Sequence, residues 1–258
     1  LELSSQNDRG RAFSERLRDL EPADPSPGAI ASLLERDDVR TMLSEVFTGD
    51  RSLAHALAGD PLLRQQFARV LSHYAFSYRP YDLTYSDLRR VQDWQADFKR
   101  QLASGSVVPF SYIWLPNDHT GGANPKLLTP AQYMAQNDAA LGEIIATISH
   151  SAIWNNSLIL AIEDDAQNGP DHVDATRTVA FAAGPYVKRG ALVSDRYDQL
   201  SLIRTMGLIL GLDPLNLGDG LAAPMGSIFT SSPDFRPYQP APASRELHPS
   251  DRGPAPAC

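Results

Sequence analysis

Apolar and polar positions change rhythm several times along the chain, and each change predicts a different element. Over residues 29–72, Leu33, Leu34, Val39, Met42, Leu43, Val46 and Phe47 recur near helical spacing. Asp60-Pro61 then opens another helical stretch, with Leu62, Leu63, Phe67 and Val70 as its apolar positions. A third stretch follows the aromatic turn Tyr78-Arg79-Pro80-Tyr81: Leu88, Val91, Trp94, Phe98 and Leu102 make one stripe, while Arg89, Arg90, Asp93, Asp97 and Arg100 fall largely elsewhere. Thr84 or Ser86 is placed to cap that helix and Gly105 to stop it, which predicts an amphipathic helix lying on a sheet.

The second half reads as strands alternating with helices. Residues 107–115 are rich in β-branched and aromatic side chains, with Pro109 tolerable only near a strand start. Residues 158–162 are apolar without alternation, the pattern of a parallel strand covered on both faces, and residues 178–183 form the next apolar run before Gly184-Pro185. Thr129-Pro130 starts a helix that runs to about Ser149 and leads back to the strand at 158, a right-handed crossover unit. A last helix over 198–210 is apolar on most sides, ends at Gly211, and is expected to be sandwiched. The predicted fold class is therefore α/β, a mostly parallel sheet flanked by helices. Three regions follow: a charged, mainly helical segment of unknown role at 1–75, the α/β domain at 76–230, and a Pro-rich disordered tail at 231–258.

Composition narrows the partners. The net charge of -8 disfavours nucleic acid and anionic membrane surfaces. No apolar run is long enough for a membrane span, and no signal peptide opens the chain. The chain begins at Leu1, which points to a fragment or a processed form. Its one cysteine, Cys258, excludes internal disulfides and a cysteine metal cage, so any metal must be held by oxygen and imidazole.

Candidate chemistry gathers after two predicted strands. The run at 158–162 ends in Glu163, Asp164 and Asp165, followed by Asp171, His172 and Asp174. Adjacent carboxylates repel unless protons or a cation compensate, and oxygen ligands with an imidazole suit a divalent ion. A solvated acidic loop fits the same residues. The run at 107–115 ends in Asn117, Asp118 and His119, followed by Gly121 and Gly122, where backbone can approach a ligand closely. A turn stabilised by Asn117 and Asp118 is the structural alternative. In a parallel sheet both clusters would lie on one rim.

The order of these pieces resembles the carboxyl-terminal half of the alkaline phosphatase superfamily, in the phosphoesterase branch that includes phospholipases C and acid phosphatases, as found after a bacterial β-propeller. The matching segments are IWLPNDHTGG (113–122), AQNDAALG (135–142), EDDAQNGPDHVDATRT (163–178) and GPYVKRG (184–190). The resemblance implies an α/β sandwich acting as a metal-dependent hydrolase of phosphate esters, with Asp164, Asp165 and Asp118 as metal ligands. It implies catalytic roles for His119 and His172, with Arg177 steadying the phosphate. It further implies a small-molecule or lipid phosphate ester as substrate, a divalent ion (Zn, Mn, Mg or Ca), an extracytoplasmic location, and an upstream β-propeller or missing amino-terminal half. The family's nucleophile is unassigned: no strand ending in Asp and an exposed Ser or Thr occurs in the first 75 residues, and Thr120 and Ser149 lack its context. A non-catalytic binding or scaffold module on the same fold is the competing expectation.

Overall fold

The structure, a computed structural model of the chain, describes residues 26–47, 50–164 and 178–241. They form two compact units. Within the described residues, the first unit comprises 26–47, 50–100 and 112–140, and the second 101–111 and 141–241.

Four short helices build one part of the first unit: α1 (Pro27–Leu33), α2 (Asp37–Phe47), α3 (Ser52–Gly59) and α4 (Pro61–Leu71). Their starts are written in the sequence. Ser26 Oγ accepts from Ala29 N at 3.3 Å with Pro27 in the first turn of α1. Asp60 accepts from Leu62 N at 2.9 Å and Leu63 N at 3.1 Å ahead of Pro61, so the orphan N–H groups of α4 are satisfied locally. Of the predicted apolar positions, Leu34, Val39, Met42 and Leu43 meet Ile30, Leu57, Ala68, Leu71 and Phe76 in one core cluster with Leu63 and Phe67 packed against it, whereas Leu62 and Val70 are exposed. Full burial of each large side chain contributes on the order of 1.5–3 kcal/mol, which is what allows helices of only two or three turns to persist.

Two longer helices follow, α5 (Asp87–Ser104) and α6 (Pro130–Ser149). Ser86 rather than Thr84 caps α5, accepting from Arg89 N at 3.2 Å. Val91 and Phe98 are buried as the stripe predicts, and Trp94 stacks on Phe98 with centroids 5.0 Å apart. In α6, Tyr133, Ala140 and Ile144 are buried.

The second unit contains β1 (Ile159–Ile162), β2 (Ala180–Ala183), α7 (Gln199–Leu210) and the single-turn α8 (Leu217–Leu221). Asp198 and Ser201 cap α7 reciprocally, and Gly211 ends it at φ 69°, a left-handed conformation that glycine adopts without a Cβ clash. Leu202 of α7 packs with Met225 and Ile228, beside Leu160 and Ala182 of the strands. Leu200, Leu208 and Ile209 are exposed, so α7 is not sandwiched. Residues 231–241 carry no helix or strand, but Asp234 N donates to Pro185 O at 2.8 Å and Tyr238 N to Ser149 Oγ at 2.9 Å.

The expectation of a mostly parallel sheet flanked by helices is wrong, and with it the α/β sandwich. The described residues are mainly helical, and their one sheet has two strands paired antiparallel, with Ile159 opposite Ala183 and Ile162 opposite Ala180. A five-residue apolar run at 158–162 does not distinguish a strand buried on both faces from a half-buried one paired antiparallel. Ala180 and Phe181 are exposed, and β1 is only half-buried. Residues 107–115 pair with no described strand, and 108–112 are exposed throughout. The common rim expected of two parallel strands has no basis in this sheet.

Among the described residues no helix is long and apolar enough to cross a membrane.

Candidate functional site

Arg90 organises the first unit. It sits on α5 one residue from Val91 and is wholly buried, where an unpaired guanidinium would be prohibitively costly. Its donors are accounted for by the carbonyls of Arg79 (2.9 Å), Pro80 (2.7 Å), Asp82 (2.9 Å) and Tyr85 (2.5 Å). Asp87 Oδ1 and Asn117 Oδ1, each at 3.0 Å, complete the set. Asp87, one turn back on the same helix, is also wholly buried. Its Oδ2 accepts from Asn117 N and from Asn137 Nδ2, both at 3.1 Å. Gln136 Oε1 accepts from Asp87 N at 3.1 Å and from the Asn117 side chain, and Asn137 Nδ2 also reaches Leu115 O at 3.0 Å. Helices α5 and α6 thus grip Asn117 by backbone and side chain together.

Burial pushes the Asp87 carboxyl up to about 6, against the opposing pull of the Arg90 charge and the amide donors of Asn137 and Asn117. The folded state holds that proton more tightly than the unfolded chain. The contribution of Asp87 to stability is therefore largest below about pH 4 and is lost as pH rises through about 6. Relative to an Asp87→Asn variant, the natural chain should lose up to about 3 kcal/mol of unfolding free energy across that interval. Urea unfolding at several pH values measures the difference, and a flat difference would contradict it.

Asn117 is part of a single 3-10 turn, Pro116–His119, which sets Asp118 and His119 at the edge of this network. Both are half-buried. The next residue, Thr120, has φ 59° and ψ 169°, a region populated almost only by glycine, and a threonine held there stores about 1–3 kcal/mol. That strain turns the Thr120 carbonyl toward the histidine beside it: His119 Nδ1 lies 3.1 Å from Thr120 O and 3.1 Å from Tyr81 Oη. The Tyr81 ring meets His119 edge-on at 5.4 Å between centroids, and its other neighbour is Trp114 at 5.9 Å. Tyr78 donates to the Trp114 carbonyl at 2.7 Å, and burial raises its phenol above the ordinary range. Because a carbonyl oxygen only accepts, the Thr120 contact is a hydrogen bond when Nδ1 carries the proton, whereas the Tyr81 hydroxyl can donate to that nitrogen or accept from it. With the proton on Nδ1, Nε2 keeps its lone pair, and no described residue hydrogen-bonds it.

Of the site residues expected from the sequence, Asp118 and His119 stand side by side in the first unit. Asp164 is exposed in the second unit, two residues beyond β1. Glu163 before it is tied to the neighbouring strand, its N–H donating to Val179 O at 3.0 Å. Asp165, Asp171, His172, Asp174 and Arg177 lie outside the described residues. Ser149 is a packing residue: buried, it donates to Ala146 O at 3.0 Å and accepts from Tyr238 N.

Among the described residues no three His, Asp, Glu or Cys side chains converge to hold a metal ion. Asp118 and His119 supply two donors, fewer than the three protein ligands of a typical catalytic metal centre. The described set does not make up such a centre, and the chemistry it offers is that of an oriented imidazole beside a carboxylate.

The residues that sequence reading missed are those that hold the turn. The sequence pattern puts Arg90 among the polar positions of its helix and gives no role to Asp87, Gln136, Asn137 or Tyr81, while Asn117 enters only as a side chain stabilising its own turn. A signal existed in α6, where Gln136 falls three residues after Tyr133 and four before Ala140, on the buried face. A polar side chain in that register needs a buried partner. Compared with known proteins, the chain matches no family model, no curated protein and no solved structure.

Proposed function

We propose that the chain serves the hydrolysis of phosphate esters, with His119 as the group that moves the proton. The observation that carries this reading is the imidazole placed with Nδ1 3.1 Å from both the Thr120 carbonyl and the Tyr81 hydroxyl, so that a proton on Nδ1 leaves Nε2 as a base with its lone pair available. The order of the segments 113–122, 135–142, 163–178 and 184–190 supports the same reaction class through its resemblance to phosphoesterases. In the reaction, a water oxygen attacks phosphorus and gives its proton to Nε2. The phosphorus–oxygen ester bond breaks, and the leaving alkoxide takes a proton back from the imidazolium. Proton and electron pairs balance with no group other than water and His119. The divalent ion implied by the resemblance is a separate part of the proposal, measured as a dependence.

The test is release of p-nitrophenol from p-nitrophenyl phosphate and bis(p-nitrophenyl) phosphate by the purified 258-residue chain. It is run after chelation and again with Zn, Mn, Mg or Ca restored. Release above the ion-only control, raised by one of the ions, is the expected outcome. No release with any ion, from a chain whose melting temperature shows it folded, would overturn the proposal.

A further inference from the structure

We infer that Tyr81 is a positioning residue for His119, fixing which ring nitrogen carries the proton and the plane in which the ring stands. The inference deepens the phosphate-ester reading and rests on it only for its kinetic arm. The Tyr81 hydroxyl lies 3.1 Å from Nδ1, the same nitrogen that faces the Thr120 carbonyl at 3.1 Å. With the proton on Nδ1, the ring N–H points between two oxygens that both accept. With the proton on Nε2, the Nδ1 lone pair would face the carbonyl lone pairs at that distance, and only the phenol could compensate by donating. The first arrangement avoids a lone-pair contact with the carbonyl and leaves the half-buried Tyr81 hydroxyl proton to solvent. Tyr81 also holds the ring sterically, because its edge-to-face contact opposes rotation of the imidazole about its own bond.

Tyr81 is itself held in place by tertiary structure. Pro80 O, in the preceding residue, is an acceptor of the buried Arg90 guanidinium, and Trp114 flanks the phenol ring. Burial raises the Tyr81 phenol above its ordinary value, so the group beside His119 is a hydroxyl. The Tyr81–His119 pair thus joins residues 38 positions apart.

An unconstrained neutral imidazole favours the Nε2–H form, so the tautomer is a direct readout of the constraint. In a 15N-labelled chain, long-range proton–nitrogen correlation spectra of the neutral ring, assigned with a His119→Gln variant, should show His119 mainly as Nδ1–H. Tyr81→Phe keeps the ring contact but removes the hydroxyl, and should shift the population toward Nε2–H. It should lower turnover of p-nitrophenyl phosphate about tenfold, with KM changed less than about twofold. Tyr81→Leu, which also removes the ring edge, should shift the tautomer at least as far.

A tautomer ratio unchanged in both variants overturns the inference, as does a shifted ratio with unchanged turnover in an active chain. A shifted ratio in a chain that hydrolyses neither ester overturns the phosphate-ester reading and leaves the hold of Tyr81 on His119 standing.

Discussion

Replacing Arg90 with methionine should lower the unfolding free energy of the first unit by about 3–5 kcal/mol, the largest stability effect expected of any single change here. Methionine fills similar length but leaves Asp87 as a buried carboxylate without its counter-charge. It also strips a partner from four carbonyls between Arg79 and Tyr85. The accompanying change Asp87→Leu removes the uncompensated charge, and in many buried pairs such a double replacement restores stability. Here it should restore only part, because the Arg79 and Pro80 carbonyls lose their donor, while Asp82 O and Tyr85 O keep Tyr85 N and Asn117 Nδ2. Urea unfolding of the single and double variants separates the two terms. If Arg90→Met costs less than about 1 kcal/mol, the guanidinium is not the desolvated hub described above.

Replacing His119 with asparagine should reduce phosphate-ester turnover by about 10²–10⁴-fold, the range associated with a positioned acid–base group. Asparagine offers hydrogen bonds but no group that gains and loses a proton near neutrality. The fold should tolerate it, since His119 is half-buried and its hydrogen bonds run to one hydroxyl and one adjacent carbonyl. A melting temperature within a few degrees of the natural chain, alongside the kinetic loss, is the expected pair of results. Full turnover in this variant would remove His119 from the reaction.

The helices were legible because their ends carry local chemistry. Asp60-Pro61, Thr129-Pro130 and Asp198 through Gly211 each mark a boundary within a few residues, and the boundaries stand where those residues are. Strand pairing has no such local mark. Whether Ile159–Ile162 runs parallel or antiparallel to its neighbour depends on a partner some twenty residues away, and its apolar run fits both. The same contrast divides the site. Asp118 and His119 drew notice as adjacent chemical groups before two glycines, whereas what holds them is spread from Arg79 to Asn137 and is visible only once α5 and α6 bring it together. At Thr120 local reasoning chooses differently from the chain, since a positive φ beside Gly121 favours a glycine.

The Arg90 hub also bears on motion. Its guanidinium is the shared partner of the 79–85 segment and of Asn117, so neither the segment nor the turn can open alone without exposing a buried charge. Fluctuations that would loosen the His119 turn are thereby tied to the opening of α5 itself. Amide protons buried in the network, Asn117 N and Asp87 N among them, then exchange with solvent only through that larger event, with one common opening free energy set by cooperative unfolding rather than by local breathing.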